Sequence, residues 1–255
     1  MEIKSIILDL LFPPLCFGCR RYHKSYLCEH CWQKIQINTS FFCPVCQNRI
    51  PISTNIEISK YQSICHPDAR FLLAPAADYR NEAVKNLIHE LKFHRIASAM
   101  EPIKKILDEY LSIVIARKVA PQSGATDEAI STHNFFKNYS VVPIPISSKR
   151  LRQRGFNQAQ LIAEHVARQC KWPIANGNLI KIKDNKKQSE LKNWEERKSN
   201  VENCFSITRP ELIKNENIIL VDDVFTSGAT INEAVKILKR AGARKIIALV
   251  IARAR

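Results

Sequence analysis

Six cysteines near the start of the chain fall into three C-x-x-C pairs, Cys16/Cys19, Cys28/Cys31 and Cys43/Cys46, and Cys65 follows them. Two residues between cysteines let both thiolates of one turn face a single ion, and two such turns complete the tetrahedral sulfur site that zinc prefers. Cys16, Cys19, Cys28 and Cys31 make the most economical first site. Cys43, Cys46 and Cys65 leave a second site one ligand short; His66 or Asp68 could supply the fourth bond, Asp68 standing where a fourth C-x-x-C would put its second sulfur. An interleaved pairing is equally compatible with the spacing. Four protein ligands leave no open coordination position, so zinc here is expected to be structural, one or two ions per chain. A module of ~60 residues can hardly assemble a hydrophobic core, and metal binding would replace one.

The second chemical stretch is Leu220-Val-Asp-Asp-Val-Phe-Thr-Ser-Gly-Ala-Thr230. Thr226, Ser227, Gly228, Ala229 and Thr230 bring small side chains, hydroxyls and backbone N–H groups to the start of a helix, which makes a phosphate cradle. No lysine follows Gly228 and no G-x-G-x-x-G occurs, so a Walker nucleotide triphosphatase and a Rossmann dehydrogenase are disfavoured. The adjacent Asp222 and Asp223 suit what a phosphate does not: vicinal hydroxyls and a hydrated Mg²⁺. A ribose 5-phosphate satisfies both halves.

These residues must be carried by elements. Asn217–Val221 reads as a buried strand, and Ile231, Ala234, Val235 and Leu238 recur at helical spacing until Gly242. Residues 245–252 form a last apolar strand. Strand, helix, strand with continuous apolar strands means parallel pairing in a doubly wound α/β sheet, whose ligands sit beyond the carboxyl ends of the strands. Upstream, residues 71–79 read as a strand, 82–93 as a helix with Ala83, Leu87, Ile88 and Leu91 on one face, and 96–119 as another helix. Residues 121–134 read as a loop, 139–145 as a strand stopped by prolines, and 154–170 as a helix with Asn157 as N-cap. Residues 181–198 are highly charged without a regular period, which suggests a mobile loop over the site. A short amphipathic helix with Ile3, Ile6, Ile7 and Leu10 on one face opens the chain.

The chain's 255 residues suit an ordinary domain behind a small module, placed at 69–255 and 1–68. Apolar residues make up 45%, enough for a core, and 39 lysines and arginines stand against 24 acids, a net +15 that suits polyanionic partners. Residues 147–198 alone hold 13 basic residues against 5 acids, a net +8, which would serve a phosphate ligand and attract single-stranded DNA. No run of 18 apolar residues exists, so no membrane span is expected, and the expected location is cytoplasmic.

The stretch LVDDVFTSGAT resembles the phosphoribosyl pyrophosphate (PRPP) signature of type I phosphoribosyltransferases. Four further blocks in order resemble the ComF/GntX group: the cysteine front as its zinc ribbon, YRNEAVKNLIHELKFHR with Lys92, VPIP followed by KRLRQRGFNQAQLIA, and KKQSELKNWEERKSNVENCF with Gln188, Arg197 and Asn200. The resemblance implies a type I phosphoribosyltransferase fold, PRPP as ligand with Mg²⁺, and a place in natural transformation, the uptake and handling of external DNA, beside competence machinery proteins. It further implies roles for residues: Asp222, Asp223, Arg154 and Arg197 as catalytic, and Thr226 to Thr230 with Ser147 and Lys149 on PRPP. Whether the protein turns over, on what acceptor, or serves as a PRPP-sensing factor that binds single-stranded DNA is left open by the residues; nucleobase salvage is the third alternative. Trp194 could stack on a base, and Lys186, Lys187 and Lys192 would meet DNA. Asn157 and Gln158 read equally well as cap and loop tie.

Overall fold

The structure, a computed structural model, describes residues 14–51, 65–66, 69–93, 97–115, 139–183 and 202–254. The opening helix, Asp68, and Lys186, Lys187, Gln188, Lys192, Trp194, Arg197 and Asn200 lie outside these residues. In chain order the elements are α1 (Glu29–Trp32), β1 (Ser40–Phe42), β2 (Arg49–Pro51), β3 (Leu72–Asp78), α2 (Glu82–Phe93) and α3 (Met100–Ile115). They continue with β4 (Tyr139–Pro143), α4 (Ser148–Arg154), α5 (Gln158–Cys170), β5 (Leu179–Lys181), β6 (Phe205–Ile207), β7 (Asn217–Phe225), α6 (Ala229–Arg240) and β8 (Lys245–Arg253).

Apolar runs in β3, β7 and β8 are buried on both faces, as strands between two helical layers must be. The main sheet runs β2-β1-β3-β8-β7-β4, with β3, β8, β7 and β4 parallel and β1 and β2 antiparallel to their neighbours. One face is packed by α2, α3 and α5 through residues such as Leu87, Leu91, Ile103, Leu107, Ile162 and Val166. The other is packed by α6 through Ile231, Ala234, Val235 and Leu238, beside a separate β5–β6 hairpin. This is the mainly parallel α/β fold expected, preceded by a Cys-rich ribbon.

The front module is joined to that sheet. Phe42 of β1 pairs with Leu73 of β3, and Asn38 ties its amide to Pro75 O at 2.9 Å and its backbone N–H to Ala76 O at 2.9 Å. Asn86 on α2 donates to Phe17 O at 2.9 Å, and Arg20 pairs with Glu90 at 3.0 Å. The ribbon thus extends the sheet past β3 and grips α2.

Three expectations are corrected. The strand before the acids does not end at Val221: β7 continues to Phe225, because β8 offers it a full-length parallel partner, Asp222 facing Val250 and Phe225 facing Arg253. The segment between the strand expected to end at 145 and the helix expected from 154 is itself helix α4, capped by Ser147 and closed by Gly155 in the left-handed region (φ 83°). The helix expected from residue 96 starts as a 3₁₀ turn at Ala97–Ala99 and becomes α-helical at Met100. Helix α5 starts where Asn157 places it, its side chain accepting from Ala159 N at 3.1 Å.

Candidate functional site

The acids sit on the last residues of β7, at the carboxyl edge of the parallel sheet. Successive strand residues project to opposite faces, and their surroundings follow. Asp223, buried, meets Lys92 at the end of α2, Nζ to Oδ1 2.8 Å. Asp222 lies near the charge of Lys181 on β5 and accepts from the backbone N–H of Asp223 at 2.9 Å. Burial first, then the carboxylate of Asp223, pushes Asp222 up to about 7; Lys92, the Asp223 N–H and Lys181 pull it back only in part. Arg154 at the end of α4 faces the same charge: burial holds its guanidinium below the usual range while Asp223 works to raise it.

The loop beyond β7 is set by one residue. Gly228, the N-cap of α6, has φ 75°, and a Cβ there would come within 2.6 Å of the Phe225 ring. Only glycine accepts both the left-handed backbone and that contact. Ser227 Oγ accepts from Ala229 N at 3.5 Å and Asn232 Nδ2 holds Gly228 O at 2.9 Å, so the turn between β7 and α6 is tied at its helix start. A helix start with small residues and partly exposed Thr226 and Thr230 is chemically suited to an anion.

Ser147 is buried and its hydroxyl oxygen accepts from Arg150 N at 3.4 Å, so it works as a helix cap, with exposed Lys149 two residues on. Asn157 and Gln158 are structural ties: Asn157 Nδ2 donates to Ile144 O at 3.0 Å and buried Gln158 to Leu91 O at 3.4 Å, locking the β4 exit and the Lys92 turn together. In the sequence Lys92 stands out only within the L-K-F block, and Lys181 only within the basic stretch 147–198. Both meet the acids through contacts long in sequence, and the L-K-F turn was the only local signal.

At the other end of the chain the sulfur ligands assemble in sequential order. Cys16, Cys19, Cys28 and Cys31 form one group and Cys43, Cys46, Cys65 and His66 the other, with the ligand atoms of each group within 4.8 Å of one another. Cys19 and Cys28 sulfurs are 3.9 Å apart, Cys46 and Cys65 3.3 Å, and Cys43 Sγ lies 3.4 Å from His66 Nδ1. A tetrahedron of ~2.3 Å Zn–S bonds puts its sulfurs about 3.8 Å apart, so both donor sets fit zinc.

The thiols of the first group are unequal. Burial works to raise Cys16, but N–H groups of Cys28, Cys19 and Gly18 outweigh it and bring it to about 6, while burial and the neighbouring sulfurs push Cys31 up to about 12. A group that cannot ionise together by itself is one that a dication would hold ionised. A Cβ at Gly18 would meet Cys31 Sγ at 2.6 Å, so the first turn closes around its sulfurs only with glycine.

Comparison with known proteins agrees with this layout. Residues 7–67 match the model of the double zinc ribbon domain and residues 157–255 that of the phosphoribosyl transferase domain. The chain is similar to Competence protein F of Haemophilus influenzae, 26% identical over 245 residues, covering 94% of this chain and 90% of that one. It is 29% identical to Competence protein ComFC of Bacillus subtilis over 220 residues, 85% of this chain and 79% of the relative. It is also 26% identical to DNA utilization protein YhgH of Escherichia coli over 242 residues, 93% and 96% of the two. Among the described residues no helix is long and apolar enough to cross a membrane. The chain therefore joins a double zinc ribbon domain to a phosphoribosyl transferase domain and is similar along most of its length to competence and DNA utilization proteins.

Proposed function

We propose that the protein binds PRPP with Mg²⁺ at the carboxyl edge of β7 and acts in the uptake and handling of external DNA. One observation carries the reading: an acid pair, a glycine-dependent turn and a helix start meet at a parallel-sheet edge faced by Arg154 and Lys92, within a chain whose second part matches a phosphoribosyl transferase domain. Asp222 and Asp223 would take the ribose hydroxyls, Thr226 to Thr230 the 5-phosphate, and Arg154, with Ser147 and Lys149 at the start of α4, the pyrophosphate side. An acid pair suits Mg²⁺, an ion held by one or two carboxylates and the substrate's own phosphates. Bound there, Mg²⁺ would neutralise charge developing on the departing pyrophosphate. The chain's own residues orient the ribose and hold its hydroxyls; Arg154 adds fixed positive charge that needs no reorganisation. Residues 1–68 are taken as the zinc module and 69–255 as the ligand-binding domain, and the names of the relatives support a role in competence.

The test is calorimetric titration of the zinc-loaded protein with PRPP in the presence of Mg²⁺. Saturable binding is expected, and Asp222→Asn or Asp223→Asn should weaken it at least tenfold with the thermal transition retained. Binding unchanged in both variants would refute the site. A second reading, in which PRPP is sensed and never consumed, is favoured by the Lys92–Asp223 pair, which occupies one acid until a ligand displaces it. Pyrophosphate release with single-stranded DNA or any other acceptor decides between the two.

A further inference from the structure

A second cationic group, outside the PRPP stretch, is made jointly by both modules. Arg253, the last residue of β8, lays its guanidinium over the ring of Phe42 at 4.0 Å, and its Nη1 donates to Gln47 O and Oε1 at 3.4 and 3.3 Å. Gln47 follows Cys46 in the second zinc turn, in the left-handed region (φ 60°), with its N–H on Cys43 O. Phe42 is in turn paired directly with Arg49 across β1 and β2, so ring and Arg49 share a face. On β3, the neighbour of β8, Asp78 stands in register with Arg253 and holds Arg80 by paired contacts of 2.6 and 3.1 Å. Three arginines therefore stand against one carboxylate, and two of them, Arg49 and Arg80, are exposed.

We propose that Arg49, Arg80 and Arg253 form a phosphodiester-binding track for single-stranded nucleic acid, built across the seam between the second zinc turn and the sheet edge. Guanidinium forks match phosphate oxygens in pairs, and among the described residues Arg253 spends only Nη1 on Gln47, leaving the rest of its fork. The Arg253 guanidinium reaches across to β1, beside Arg49, and feels the charges of both Arg49 and Arg80, so the three arginines form one cluster that joins the zinc turn to the end of β8. Beyond β8 the carboxyl edge of the sheet continues to Asp222 on β7, so a strand lying on the arginines leads toward the PRPP stretch. The inference rests on the DNA side of the proposed function and does not require turnover.

The test uses the full zinc-loaded chain and a fluorescent oligothymidylate about 20 nucleotides long, followed by anisotropy across a salt series. The double variant Arg49→Ala/Arg80→Ala, whose side chains are exposed, should fold normally, bind about tenfold more weakly and lose roughly 1.4 from the salt slope, ~0.7 per phosphate contact. Arg253→Lys, which keeps the charge and loses the fork, should weaken binding as well. Unchanged affinity and slope in the double variant would overturn the proposal. So would an equal loss of affinity for inorganic pyrophosphate and for the oligonucleotide, which would mark a free-phosphate site. PRPP titration of the same variants should be unaltered; a wild-type protein that binds no PRPP, yet loses the oligonucleotide with these arginines, would sink the proposed function and leave this track standing.

Discussion

Asp222 is the residue whose chemistry depends most on its neighbours. Its folded value of about 7 lies far above the ordinary 3.8, so the folded chain holds the proton more tightly than the unfolded one. The resulting cost to stability is absent below 3.8, grows between the two values and is complete above 7, as linkage requires for a raised carboxyl. Binding has the opposite dependence. A ligand whose hydroxyls or cation need the ionised carboxylate must expel that proton, so PRPP affinity should fall by up to tenfold per pH unit below 7 and level off above it. Asp222→Asn should remove this step while leaving the ligand's own phosphate titration visible. Lys92→Met, by deleting a charge that holds Asp222 down, should move the midpoint to higher pH. Calorimetry in buffers of different ionisation heat reads the proton directly, and a wild-type profile equal to that of Asp222→Asn would show that Asp222 carries no such role.

At the scale of elements, two left-handed glycines allow a controlled comparison. Gly155 closes α4 with φ 83° and no atom within 4 Å of a would-be Cβ, whereas Gly228 opens α6 with φ 75° and the Phe225 ring at 2.6 Å. Gly155→Ala should cost only the backbone strain, about 1–2 kcal/mol. Gly228→Ala should cost more and reshape the turn, so that thermal stability drops further and PRPP binding falls disproportionately. Equal melting shifts and equal binding losses would show that the turn tolerates a side chain. The same elements show why parts of the fold were legible in sequence. Strands β3, β7 and β8 and helices α2, α5 and α6 have apolar periods that local reading finds, and Asn157 announces α5. Helix α4 was missed because SKRLRQR has one apolar residue, exposed Leu151; its ends, Ser147 and Gly155, define it. The β5–β6 hairpin was missed because its strands are three residues each, and the extension of β7 through two acids because only pairing with β8 makes it. Of the site, the acids and the turn were legible as a motif, and the zinc ligands as spacings. Lys92 was marked only by the resemblance of its block, and Lys181 and Arg253 were not marked individually, since each reaches its place through contacts far apart in the chain.

Over the whole molecule, the ribbon and the sheet are mechanically one body, and that decides what metal loss should do. An independent zinc module would lose its own structure and leave the sheet untouched. Here β1 covers the hydrogen-bonding edge of β3, Phe41 and Ile35 lie in the core shared with α2 and α3, and Arg253 hangs on the turn between Cys46 and Asn48. Stripping the metal should therefore melt more than the front. Thiols pushed up to about 12, as Cys31 and Cys65 are, would reprotonate first, and the two clusters would come apart. That uncovers the unpaired edge of β3, which invites aggregation. Metal analysis should return two zinc ions per chain. Chelation should then lower the thermal transition of the main sheet itself, read by protection of β3 and β8 amides from hydrogen exchange. A chelated protein in which those strands keep full protection, with the front alone exchanging, would show that the joined sheet does not transmit the loss. Mutating one cluster at a time sharpens the test. Cys19→Ser should act mainly through α2, by way of Arg20–Glu90 and Asn86–Phe17, and so reach Lys92 and Asp223. Cys46→Ser should act through Gln47 on Arg253, weakening oligonucleotide binding before PRPP binding.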